Sequence, residues 1–169
     1  TPNQMVDFSA GEAVISWDMS TLRSSMRDWV DLWVTPFADN LALPGDTSFP
    51  DFQGRPMNAV HIRMDQSCAS GGTMFRAFVV RNGSTETLST SICLDYRQWL
   101  TPDAARRDTF ELRISATHLK LGMPAYNRWW LDANIADLGF GQGVVQFGHH
   151  SYSPTKDSGG SPNTWHWDN

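Results

Sequence analysis

The run Thr73-Met74-Phe75-Arg76-Ala77-Phe78-Val79-Val80-Arg81-Asn82-Gly83-Ser84-Thr85-Glu86-Thr87-Leu88-Ser89-Thr90-Ser91-Ile92-Cys93 decides the fold class. Asn-Gly between two β-rich runs is the strongest short hairpin signal, because a two-residue turn with positive φ at both positions matches the twist of the flanking strands. Thr73 to Arg81 and Thr87 to Ile92 are therefore expected to pair, which brings residues near 72 opposite 93. Cys68 then lies within loop reach of Cys93. A disulfide closing the hairpin base is the expectation; two reduced, half-buried thiols are the other reading the spacing allows. Asn82-Gly83-Ser84 also fits a glycosylation sequon at an exposed turn, a motif short enough to arise by chance.

The same pattern recurs on both sides of the hairpin. Ala13 to Met19, Trp29 to Val34 and Ala59 to Met64 precede it, each β-rich and bounded by Gly, Pro, Ser or Asp. Phe110 to Ser115, His118 to Leu121, Arg128 to Leu131, Val144 to Phe147 and Thr164 to Trp167 follow it. With Phe75 to Val80 and Leu88 to Cys93 these make about ten short strands, and many short strands at turn spacing mean a sandwich or barrel. Helical character is confined to Tyr96 to Arg107, where Thr101-Pro102-Asp103 is placed to cap one short turn. The stretch from Thr35 to Pro56 reads as a long irregular loop. No repeat or linker divides the chain, so residues 1–169 are expected to form one domain.

Composition agrees with an all-β reading. The chain has 169 residues, 18% of them charged and 12% aromatic, with thirteen glycines and nine prolines. Only two lysines and three glutamates occur, too few for long helices that dress their wet faces with those residues. A net charge of −5 without a basic stripe excludes phosphate-backbone recognition and argues against docking on anionic membranes. No apolar run approaches the roughly 20 residues of a helical membrane span, and Thr1-Pro2-Asn3-Gln4 does not read as a signal peptide.

Asp7-Phe8-Ser9, Ala13 to Asp18, Trp29 to Pro36, Phe110 to Ser115 and the closing Trp165-His166-Trp167-Asp168-Asn169, taken in order, resemble the concanavalin A-like lectin/glucanase superfamily, in particular secreted bacterial members. The resemblance implies a two-sheet antiparallel jelly-roll sandwich, with sugars held across the concave face or at its rim loops. It implies secretion or display at the cell surface. In many members a calcium ion near the chain ends is held by backbone carbonyls and a carboxylate of the last strand. Asp168 matches that position, with Asp18, Asp7 or the Gly11 carbonyl completing the site.

Candidate sugar contacts come from aromatic residues beside hydrogen-bonding ones. In Trp29 to Trp33, alternation places Asp31 with the two indoles; a carboxylate solvated or paired with Arg27 or Arg76 is the other reading. Trp129 and Trp130 should point to opposite faces, and alternation groups Trp130 with Asp132 and Asn134 as a platform. His149, His150 and Tyr152, in Phe147 to Pro154, supply further polar and aromatic groups. His149, His150 and His166 with Asp168 or Asp157 are also the residue types of a zinc or iron centre, although adjacent histidines point apart in a strand.

Catalysis finds less support. The superfamily's enzymes alternate acids along one strand, but Glu12, Glu86 and Glu111 each stand alone. Retaining hydrolysis needs two carboxyls about 5 Å apart, which would have to come from separate strands through Asp31, Asp132 or Asp65. The expected function is thus a noncatalytic, calcium-stabilised extracellular module that binds a glycan or polysaccharide or serves a structural role. A glycoside hydrolase is the alternative, and a subunit of an extracellular assembly the third. The closing strand would normally continue past Asn169, so a truncated chain or an open edge available for self-association is expected.

Overall fold

The computed structural model describes residues 4–21, 28–39, 56–65, 73–88, 92–94, 108–151 and 165–168. Their strands are β1 (Gln4–Asp7), β2 (Ala13–Thr21), β3 (Asp28–Thr35), β4 (Ala59–Asp65), β5 (Thr73–Arg81), β6 (Ser84–Thr87), β7 (Ile92–Leu94), β8 (Asp108–Ile114), β9 (His118–Met123), β10 (Arg128–Asn134), β11 (Gln142–Ser151) and β12 (Trp165–Asp168). Two three-residue 3-10 helices, Phe37–Asp39 and Pro124–Tyr126, interrupt them. Two antiparallel sheets result. One runs β1-β11-β3-β4-β5-β6, with β7 also on β5, and the other runs β10-β9-β8-β2-β12. The chain crosses between sheets after β1, after β2, after β7 and again on either side of β11, the wrapping of a jelly roll.

Alternation explains why the sheets pack. Along β8 every second residue is buried, Asp108, Phe110, Leu112 and Ile114, and β9 contributes Leu119, Leu121 and Met123 to the same layer. The facing layer is Leu32, Ile62, Met64, Phe75 and Val79. Aromatic rings stitch the layers together. Phe75 lies 5.8 Å from Phe110 and 4.6 Å from Trp130, and Trp17 lies 5.9 Å from Phe147. Burying each such side chain is worth about 1.5–3 kcal/mol, so this interlayer seam is the main source of stability. Arg81 adds a polar tie, donating to the carbonyls of Ala136 and Asp137 beyond β10 and pairing with Glu86.

The Asn-Gly hairpin forms as expected. Asn82 and Gly83 have φ of 49° and 74°, and Arg81 pairs with Ser84. Its far end differs from the expectation. Phe78 faces Thr87 but Phe75 faces Ile92, so the partner strand carries two extra residues over that interval and splits into β6 and β7. Cys93 consequently pairs with Met74 rather than with residue 72. Strand β1 was not expected, since Gln4-Met5-Val6-Asp7 is short and carries one buried residue; its ladder with β11 makes it a strand. Cys68 and the Tyr96 to Arg107 stretch lie outside the described residues.

Candidate functional site

The outer face of the five-stranded sheet is the best-described polar surface. Register sets its side chains in rows. Ser16, Glu111, Gly122 and Trp129 are successive cross-strand partners, as are Val14, Arg113, Lys120 and Asp132 in the next row. His118 pairs with Asn134 beyond them. Trp129 lies beside Gly122, where the missing side chain lets the β10 backbone at Arg128 and Trp129 come close. Arg113 approaches its ring centroid to 5.0 Å and Lys120 to 4.6 Å. Each cation also has a carboxylate: Arg113 Nε donates to Glu111 at 2.5 Å, and Lys120 Nζ sits 3.0 Å from Asp132. His118 Nε2 reaches the other oxygen of Asp132 at 2.9 Å.

This arrangement sets the charge states. Lys120, then His118, hold the Asp132 carboxyl below the usual carboxylate range, and Glu111 raises the Arg113 guanidinium. A depressed carboxyl contributes stability above its ordinary pKa and loses it as pH falls through the folded value. The Asp132→Asn variant is accordingly expected to lose less melting temperature than wild type between about pH 5 and pH 2; identical pH profiles would show that the carboxylate is not coupled to folding.

The tandem tryptophans correct a sequence expectation. A bulge between Trp129 and Leu131 in β10 shifts its register on β9, so it is Trp129 that shares the outer face with Asp132 and Asn134. Trp130 packs inward, 4.6 Å from Phe75 and 5.7 Å from Phe110. Strict alternation fails here because one extra residue in a bulge moves the preceding side chains to the other face.

The outer face of the seven-stranded sheet is built differently. Asp31 and His61 are 1% and 2% exposed, with His61 Nε2 2.5 Å from Asp31 Oδ1. Cross-strand pairing aligns Trp33, His61 and Phe78. The imidazole stacks on Trp33 at 3.8 Å and 4°, and on Phe78 at 5.3 Å and 25°. Asp31 is therefore neither solvated nor an open contact between indoles, but a buried partner of His61, and Trp33 is 2% exposed. Histidine 61 stood in no candidate set. The signal available was its position in Ala59-Val60-His61-Ile62-Arg63-Met64, where alternation groups it with Arg63 on the outer face.

Other candidates are dispersed. Asp31 and Asp132 lie on opposite outer faces of the sandwich, whose sheets alone are about 10 Å apart, so they do not form a hydrolytic pair. Asp65 is in register with Met74 and Trp29. Asp18 accepts a 2.6 Å hydrogen bond from Thr109 and pairs in register with Asp168. Gly11 precedes β2 at its opposite end, roughly 20 Å away at strand rise, so it does not share a site with Asp18. Asp7 caps its own turn, accepting from Ser9 and from Gln142. Among the described residues no three of His, Cys, Asp or Glu converge as a metal site. In β11, His149 is in register with Val30 and His150 with Trp29. Tyr152 and Asp157 lie outside the described residues.

No protein-family description matches the sequence, and no curated protein does. Solved structures similar to this chain include Xenopus laevis galectin-Ib, at 8% identity and a TM-score of 0.46, covering 88% of this chain and 99% of that one. CG-16, a homodimeric agglutinin from chicken liver, is similar at 11% identity and a TM-score of 0.42, with 87% and 89% covered.

Proposed function

We propose that the protein is a noncatalytic glycan-binding β-sandwich whose contact surface is the outer face of β8, β9 and β10. The observation that carries this reading is Trp129, half-exposed beside Gly122 and bordered by Asp132, Asn134, His118 and Glu111. An indole offers an apolar face for the C–H side of a pyranose, while the flanking carboxylates, amide and imidazole read hydroxyls.

A glycan array on the wild type and on Trp129→Ala tests it. Wild type is expected to bind, and the variant to bind about tenfold more weakly, the equivalent of roughly 1.4 kcal/mol. The contrast is Trp130→Ala, expected to cost about 2 kcal/mol of stability through the core cavity it leaves. No binding by folded wild-type protein sinks the proposal, and undiminished binding by Trp129→Ala moves the site elsewhere.

Calcium, secretion and self-association belong to the same proposal. Calcium would act through Asp168 and its register partner Asp18 and would raise the melting temperature; a chelator without effect removes it. A Cys68–Cys93 disulfide would fit secretion and would show as a mass change on reduction and alkylation. Self-association would use β12, which ends the five-stranded sheet.

A further inference from the structure

Four carboxylates and two cations stand on the described outer face of the five-stranded sheet. Glu12, Asp18, Glu111 and Asp132 oppose Arg113 and Lys120. Arg128, at the start of β10, pairs in register with the core residue Met123 and sits outside these rows. Both cations are committed twice, once to a carboxylate and once to the Trp129 ring. Glu12 adds a second carboxylate 3.7 Å from Arg113. The carboxylates are committed less completely, since each oxygen accepts more than one hydrogen bond and a carboxylate accepts only.

A ligand approaching Trp129 therefore meets spare acceptors and a surplus of negative charge. Hydroxyl groups satisfy those acceptors by donating. A uronate or sulfate group cannot donate to them, and it gains Arg113 or Lys120 only by displacing a carboxylate and giving up a cation–π contact. We infer that this face selects neutral glycans and rejects acidic ones, with Asp132 and Glu111 supplying the rejection by holding the two cations. The inference rests on the glycan-binding reading and names its substrate class.

Titration calorimetry with a neutral oligosaccharide series and a uronate-containing series separates the two. At low salt, wild type is expected to bind the acidic series at least about tenfold more weakly. The gap should narrow near about 0.5 M salt, because screening weakens repulsion between exposed charges. Asp132→Asn frees the Lys120 ammonium, so the variant should gain affinity for the acidic series, while its melting temperature at neutral pH falls only by the small amount an exposed ion pair contributes. Equal or tighter binding of acidic glycans by wild type overturns the inference and leaves glycan binding standing. Failure of both series to bind overturns both. An unchanged preference in Asp132→Asn and in Glu111→Gln overturns the assignment to these carboxylates.

Discussion

Asp31→Ala is expected to lose about 3 kcal/mol of folding stability, the upper end of what leaving a buried hydrogen-bonding group without its partner costs. Asp31 is 1% exposed and His61 2%, and the imidazole is stacked between Trp33 and Phe78 on neighbouring strands. With Asp31 gone, His61 Nε2 loses this carboxylate within a buried site, where the desolvation of the imidazole is no longer offset by that hydrogen bond. Asp31→Asn keeps the volume and one acceptor oxygen, so about half that loss is expected. Urea unfolding of both variants measures the difference. Wild-type midpoints for Asp31→Ala would show that the pair does not hold β3 against β4.

Gly122→Ala comes next, at about 3 kcal/mol, the upper end of what added bulk costs in a packed site. A Cβ at this position would come within 2.0 Å of the Arg128 carbonyl oxygen and 2.8 Å of the Trp129 Cα. These are backbone atoms of the next strand, so relief requires β10 to move away from β9. The movement would unseat the bulge that places Trp129 outward and Trp130 inward. Thermal melting should therefore fall, and glycan affinity with it, whereas Ser16→Ala in the same row leaves melting near wild type. A Gly122→Ala protein as stable as wild type would mean that β9 and β10 tolerate separation at this row.

These two sites mark how far the sequence could be read. The strands were legible because alternation is a local property: Phe110, Leu112 and Ile114 sit two apart, and so do Leu119, Leu121 and Met123. The Asn82-Gly83 turn was legible because it requires positive φ at both residues. Asp132 and Asn134 share their face with Trp129 rather than with Trp130. The bulge depends on how β10 pairs with β9, and nothing within Arg128-Trp129-Trp130-Leu131 announces it. The split between β6 and β7 escaped notice for the same reason, since only the ladder on β5 reveals two extra residues.

Asp31 and His61 illustrate the remainder. They are 30 residues apart in the chain, and register on neighbouring strands brings them within hydrogen-bond distance. The sequence by itself determined an all-β fold of short strands, sandwich or barrel, with a polar and aromatic surface, because strand periodicity and turn chemistry act between near neighbours. Only the tertiary structure decided which tryptophan faces solvent, which carboxylate is buried against a histidine and which charges share a face. Those outcomes depend on register and bulges, set by the fit of whole strands to one another.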